Sequence, residues 1–331
     1  MPRVSPLRPF TPDPEQMARW PDLSGNAVNG LGEDILRRAR MVYWAPDPGD
    51  IPHGPLQMYF YAQSARDPRF AKARAARQEI LDAPLPPLAQ TRVQRAPKDW
   101  TAALDGFVGA GICELTGVAE MRQDWVIEGH EIAQRRVIML GVQHDYDAIA
   151  TAPGPSAGME VMAQYGRAAL AAKTVAGWLR QDGWEAEPVT GPMTGALLMI
   201  PPALECGFGE LGKHGSIINP EVGASFRLSA VLTDAPFATT PRVEAGIDGF
   251  CANCRVCEDA CPPEALSPEK RRVRGDTKWY VDFDRCLPFF NQTHGCAICI
   301  AVCPWSRPGV GPNLAAKLAR RAGRIEDKEG R

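Results

Sequence analysis

Cysteine spacing constrains this chain more than any other feature. Ten cysteines occur in 331 residues, and eight of them fall between Cys251 and Cys303. The run Cys251-x2-Cys254-x2-Cys257-x3-Cys261-Pro262 has the spacing of an iron–sulfur cluster loop. Three thiolates on one tight loop reach three irons of a cubane, while the fourth residue opens a helix that points elsewhere, so its thiolate serves a second cluster. The motif Cys286-x9-Cys296-x2-Cys299-x3-Cys303-Pro304 supplies that second cluster. The crossed rule assigns Cys251, Cys254, Cys257 and Cys303 to one [4Fe–4S] cluster, and Cys286, Cys296, Cys299 and Cys261 to the other. Zinc sites favour paired hooks without the third x2 step, and a disulfide framework needs an oxidising compartment. Both are weaker readings. Cys113 and Cys206 lie outside the motifs and read as small buried hydrophobes.

Composition narrows the rest. Apolar residues at 45% and charged residues at 23% describe a globular chain with ample core and exclude wholesale disorder. At roughly 150 residues per domain the length suggests about two domains. The 37 basic and 39 acidic side chains give a formal charge of −2, which excludes a protein that coats nucleic acid by charge alone. Met1–Trp20 carries Arg3, Arg8, Asp13 and Glu15 among its prolines and forms no secretory apolar region. Arg37-Arg38 is a twin arginine by letter only, since no long apolar segment follows it. With no stretch of ~18 apolar residues, the expectation is a soluble cytoplasmic protein without a membrane partner.

Three segments follow from the pattern. Residues 1–100 read as an irregular arm or lid with one or two helices, for example Ala71–Leu81. Residues 101–245 read as an α/β domain with strands at Arg136–Val142, Ala196–Ile200 and Phe226–Thr233. A helix from Val161 to about Gln181 lies between the first two strands, closed by Gly183, with Tyr165, Leu170, Ala172, Val175, Ala176 and Leu179 on one face. Residues 246–331 are cysteine-punctuated and end in a basic tail, Lys317, Arg320, Arg321 and Arg324, which reads as a solvated helix face. Gly207–Gly212 satisfies G-x-G-x-x-G, but Gly215 and Pro220 interrupt the helix a nucleotide site requires. Those glycines read instead as an approach surface for something large and flat. A bare two-cluster carrier is complete in roughly 60–80 residues, so the upstream domain needs a purpose of its own.

The segment GFGELGKHGSIINPEVGASFRLSAVLTD, with FCANCRVCEDACPPEAL and WYVDFDRCLPFFNQTHGCAICIAVCPW after it, resembles the cobalamin-dependent reductive dehalogenases from about Gly106 to Trp305. The resemblance implies a nitroreductase-like α/β corrinoid-binding core joined to a C-terminal ferredoxin-like domain with two [4Fe–4S] clusters. It implies a small organohalide as substrate, and an external donor (ferredoxin, flavodoxin or a reductase) whose electrons pass through both clusters to cobalt. It places the proton-donating tyrosine on Tyr165, in MAQYGRAALAAKTVAGWLRQDGW, and its arginine partner on Arg227. A guanidinium beside a phenol favours the phenolate and so eases proton release. Corrinoid contacts fall on Gly209, Lys213, His214, Gly215, Ser216, Asn219 and Thr233. Family members carry an amide or a lysine where this chain has Gly191, so substrate orientation must come from elsewhere or the substrate differs. The sister family, epoxyqueuosine reductase, shares the glycine-rich segment and acts on tRNA through an acidic proton donor. Val161–Arg180 contains no Asp or Glu, so a nucleic-acid partner is not expected. A cobalamin-dependent reduction of a non-halogenated substrate, or a pure electron carrier, are the alternatives.

Overall fold

Strand β2 (Arg136–Gln143) is apolar along nearly its whole length because both of its faces are covered. Ile138 and Leu140 enter one core and Val137 and Met139 the other, the period-two alternation of a pleated strand. In the computed structural model, which describes residues 5–191 and 195–329, β2 is a central strand of a four-stranded sheet. Its partners are β1 (Leu115–Glu120), β3 (Ala186–Val189) and β6 (Phe226–Thr233), in the order β1-β2-β6-β3 with every pair antiparallel. Two small ribbons lie outside it: β4 (Glu210–Leu211) with β5 (Ile217–Ile218), and β7 (Arg271–Val273) with β8 (Asp276–Lys278).

The helix Pro155–Gln181 covers one face of the sheet. Proline at its first turn costs no internal hydrogen bond. Ala168, Ala172, Val175, Ala176 and Leu179 are fully buried, and the run of alanines lets the helix axis lie close to the strands. Gly183 ends it at φ 80°, where an added Cβ would meet the Thr91 carbonyl oxygen at 2.4 Å, so glycine is required there. Leu170 departs from the expected face: it is 52% exposed, on the side away from the sheet. The opposite face of the sheet is covered by Trp125, Val126 and the segment from Leu197 to Ile217.

Ala196–Ile200 is not a strand. Leu197 makes one isolated bridge to Val126, and Ile200 opens the helix Ile200–Glu205. Pro201 and Pro202 cannot donate to a ladder, but their fixed φ suits a first helical turn. The expected strand–helix–strand unit has its second strand at β3 instead, with β6 inserted between β2 and β3.

The first hundred residues are more structured than one or two helices. They contain Pro14–Met17, Gly25–Val28, Gly54–Ser64 and Pro68–Asp82, and Pro97–Val108 begins within them. The leading segment lies against the cysteine-rich module. Arg8 Nε donates to the Cys261 carbonyl at 2.9 Å, Gln16 Nε2 to the Pro288 carbonyl at 3.0 Å, and Asn26 Nδ2 to Asp282 at 2.9 Å. Arg38 donates to the Val126 carbonyl at 2.9 Å, a structural use for the second of the paired arginines. Lys317, Arg320 and Arg321 are exposed on the C-terminal helix Val310–Glu329, while the side chain of Arg324 lies outside the described residues. No helix among the described residues is long and apolar enough to cross a membrane.

Candidate functional site

Cys251, Cys254, Cys257 and Cys303 line one small cavity together with Lys213, His214, Phe250, Pro304 and Trp305. These four thiols come from three segments, and Cys303 arrives from the far motif. Burial pushes Cys251 up to about 11 and Cys257 and Cys303 up to about 12, with neighbouring sulfurs of the same quartet adding to it. Among the other four, Cys286, Cys296 and Cys299 are raised in the same way. Burial raises Cys286 and Cys296 to about 12, and Cys261 is close enough to both to add to the shift. Cys299 feels Cys296 and Cys286 most among the sulfurs, then Cys257 of the first quartet, then Cys261. Cys296 and Ala297 at φ 55° and 64° make the sharp bend that brings Cys299 back beside Cys296. Thiols held protonated in this way release protons when iron binds. All ten cysteines are free thiols. No group of His, Cys, Asp or Glu among the described residues is drawn together tightly enough to hold a single metal ion. The first quartet, spread around a common cavity, suits a cubane. Cys113, half-buried, and Cys206, buried, lie outside both groups.

Beside the first quartet, Lys213 is 2% exposed and paired with the buried Glu258 carboxylate. It also donates to the Cys254 carbonyl at 2.9 Å and lies 5.0 Å from the Trp279 ring centre. His214 lines this cavity and also a cleft of about 690 Å³ between the middle and cysteine-rich segments. Its Nδ1 accepts from the Ser216 amide at 3.2 Å, its Nε2 has no protein partner, and burial lowers its pKa to about 4. A second space of about 420 Å³ abuts the cleft, with Asn29, Leu198 and Arg274 common to both and Cys286 in its wall. The lining fits a corrinoid: Leu198, Ile200, Leu204 and Val281 suit the face of a macrocycle, and Arg274, Thr277 and Lys278 suit its rim of amides.

Of the seven residues matched to corrinoid contacts, Gly215 and His214 line the larger cleft, and Lys213 stands at the cluster cavity behind it. The remaining four are not among the residues lining that cleft, and each makes contacts within the chain. A Cβ on Gly209, at φ 119°, would meet the Ile218 carbonyl oxygen at 2.0 Å, so glycine there admits the close approach of the protein's own backbone. Asn219 Oδ1 accepts from the Glu221 and Val222 amides at 2.8 and 3.0 Å, locking a turn. Ser216 holds the His214 ring through its amide. Thr233 Oγ1 donates to the Glu185 carbonyl at 2.7 Å at the end of β6 remote from Arg227.

Tyr165 and Arg227, 62 residues apart, do meet. Arg227 Nη1 donates to the Tyr165 phenolic oxygen at 3.1 Å, and the guanidinium carbon is 4.4 Å from the ring centre. Period-two alternation puts Arg227 and Ser229 on the same face as Val231, which packs against the helix carrying Tyr165. Register pairs Arg227 with Val142, so the next turn of chain brings in His144, whose Nδ1 lies 3.0 Å from Ser225 Oγ. Burial first, and the Arg227 charge second, lower His144 to about 3, so its imidazole is neutral. Its Nε2, Arg227 Nε and Ser229 Oγ are buried without a protein partner. Arg77, from the helix Pro68–Asp82, is the fourth member of the group. It donates to the Gly191 carbonyl, and Tyr165 and Tyr61 are near enough to act on its charge. Sequence reasoning passed over His144 and Arg77. The first had a usable signal in its place directly after a strand, and the second had none.

Residues 250–306 match the model of a 4Fe-4S dicluster domain. The tetrachloroethene reductive dehalogenase of Dehalobacter restrictus is 31% identical over 249 residues, covering 71% of this chain and 44% of that protein. An epoxyqueuosine reductase of Synechococcus sp. is 28% identical over 266 residues, covering 66% of this chain and 77% of that protein. Among solved structures, a variant of the catabolic reductive dehalogenase NpRdhA matches with a TM-score of 0.73 at 18% identity, covering 91% of this chain and 47% of that one. At that identity the likeness is one of fold. The chain spans less than half the length of the curated dehalogenase it matches. By sequence and by fold it is a homologue of the reductive dehalogenases, with epoxyqueuosine reductase as a further relative and a dicluster iron–sulfur module at its C-terminal end.

Proposed function

We propose that the protein is a corrinoid- and iron–sulfur-dependent reductase that removes halide from a small organohalide. The overall change is R–X plus two electrons and one proton to R–H plus X⁻. The observation that carries this reading is the Tyr165–Arg227 hydrogen bond of 3.1 Å in a group of buried, unpartnered polar atoms. When bound, the two clusters supply one-electron steps and the corrinoid supplies a low-valent cobalt able to cleave a carbon–halogen bond. His214, Gly215 and Leu198 would hold the corrinoid in the larger cleft, and the two cysteine quartets the clusters.

Tyr165 delivers the proton from its phenolic oxygen. Arg227, donating to that oxygen, fixes the ring and stabilises the negative charge left once the proton has gone. His144, neutral and buried, adds no competing charge beside Arg227. The low exposure around these groups strengthens each interaction.

Anaerobic reconstitution with iron, sulfide and hydroxocobalamin tests the reading. About one corrinoid per chain should bind, and reduced protein should release halide in step with loss of an organohalide. Tyr165→Phe should keep cluster and corrinoid content and lower turnover by ~10²-fold or more. Protein that takes up both clusters but no corrinoid, or that carries corrinoid and releases no halide, overturns it. Wild-type turnover in Tyr165→Phe reassigns the proton donor.

A further inference from the structure

Two buried N–H donors beside the first cysteine quartet lack a protein acceptor among the described residues: His214 Nε2 and Trp305 Nε1. Both rings line the cavity shared by Cys251, Cys254, Cys257 and Cys303, and they are 6% and 1% exposed. His214 stands in the turn between β4 and β5, which the Gly212 amide closes by donating to the Ser216 carbonyl at 2.8 Å. Its Nδ1 accepts from the Ser216 amide at 3.2 Å. A ring nitrogen that accepts carries no hydrogen, so the imidazole is the neutral tautomer with its proton on Nε2. Gly212 leaves room for the ring, since a Cβ there would meet His214 Cε1 at 2.8 Å. Trp305 follows Cys303 in the short turn Pro304–Ser306, and Phe250 meets its ring edge-on at 5.5 Å between centres. An indole nitrogen can only donate.

Buried donors without acceptors are costly, and native chains leave few of them. The larger cleft, which His214 also borders, is open to solvent, whereas Nε2 is closed off from it. That leaves the cavity of the quartet for both hydrogens. Backbone around the two rings already serves the same sulfurs: the Lys213 amide acts on Cys251, and the Trp305 and Ser306 amides act on Cys303. The nearby Lys213 ammonium is paired with Glu258, so that pair brings no net charge to the cavity. An iron–sulfur cluster gains a negative charge on reduction, and hydrogen bonds to its sulfurs help to set its potential.

We infer that His214 Nε2 and Trp305 Nε1 donate to sulfurs of the cluster held by Cys251, Cys254, Cys257 and Cys303, and that these two bonds raise its reduction potential. Both are positioning residues, since neither ligates iron nor touches the substrate. His214 thereby serves the cluster with one edge of its ring while the ring borders the cleft. The inference stands on the dicluster module and goes beyond dehalogenation, so protein that takes up no corrinoid or releases no halide leaves it intact.

Protein reconstituted with iron and sulfide is reduced by dithionite at controlled potentials and read by paramagnetic resonance. The signal that Cys257→Ala removes marks the first cluster. In wild type carrying heavy nitrogen in the histidine imidazoles, or in the tryptophan indoles, pulsed resonance should show each label coupled to that signal. His214→Leu should abolish the first coupling and Trp305→Phe the second. Each should shift the reduction equilibrium of the first cluster ~10-fold towards the oxidised form, about 59 mV for one electron. The double variant should shift it ~100-fold. His214→Gln, which keeps an N–H, should recover part of the shift. The midpoint of the second cluster should not move in any of them. If a variant loses its cluster, the labelled wild type still decides. Absence of both couplings from the first-cluster signal would overturn the inference, as would wild-type midpoints in both single variants or a shift shared equally by the two clusters. So would an imidazole coupled to cobalt in place of the cluster, in protein also loaded with hydroxocobalamin.

Discussion

Around Cys251, Cys254, Cys257 and Cys303 the protein places a buried lysine, a buried histidine and the wall of its larger cleft. Around Cys261, Cys286, Cys296 and Cys299 it places the N-terminal segment, with Arg8 bonded to the Cys261 carbonyl at 2.9 Å. The first environment depends on one interior ion pair, Lys213 with Glu258, at 2% and 8% side-chain exposure. The second depends on several peripheral contacts, none of them alone at the centre. Equal ligand counts thus conceal unequal tolerance. The first quartet should fail abruptly when its pair is broken, and the second should loosen by degrees.

The largest expected effect tests the grouping on which that contrast rests. Cys257→Ala and Cys303→Ala should each remove the same cluster and halve the iron bound per chain, while Cys286→Ala removes the other. Paramagnetic resonance of the reduced protein reads which signal survives. If Cys303→Ala and Cys261→Ala abolish the same signal, the crossed pairing is wrong and the comparison with it.

Next in size is the interior pair. Lys213→Met leaves the Glu258 carboxylate buried without its cation, which should cost about 3–5 kcal/mol. The midpoint of thermal unfolding of cluster-loaded protein measures it. Adding Glu258→Leu to the same chain should restore most of the loss, because replacing both members of a buried pair with apolar groups is often near neutral. A single variant as stable as wild type would remove the distinction between the two quartets.

The dicluster module at residues 250–306 was legible in the sequence because cluster ligands follow local loop geometry, and spacing records that geometry directly. Strand Phe226–Thr233 was legible from its period-two pattern, with Phe226, Leu228, Ala230 and Leu232 on one face. Ala196–Ile200 is a continuous apolar run, yet Pro201 and Pro202 turn its end into a helix. Five apolar residues alone do not distinguish the two. Leu170 was misplaced because a helix rich in alanine presents a weak contrast between its faces. Tyr165 and Arg227 could be paired only through resemblance, since no local pattern links residues 62 positions apart. Arg77 lay beyond reach altogether. Its place depends on how one helix packs across another, and a lone arginine in a basic helix reads as solvated. Asn219 and Thr233 also hold a turn and a strand end, contacts that no local pattern in the sequence announces.

The smallest effect belongs to the rim of the second quartet. Arg8 is 19% exposed and donates to the Cys261 carbonyl, to the Glu258 carbonyl and to the exposed Glu264. Arg8→Ala removes those donors but leaves the carbonyls at a surface that water can reach. The loss should therefore stay near 1–2 kcal/mol, the scale of a charged donor at a partly exposed site. Amide hydrogen exchange should quicken in residues 258–265 and stay unchanged around Cys251. With a cation withdrawn from beside Cys261, the reduced form of that cluster loses some electrostatic support, and its potential should fall by a few tens of millivolts. Iron content should remain that of wild type. A loss of the whole cluster on Arg8→Ala would mean that the peripheral contacts hold the second quartet as strictly as the ion pair holds the first.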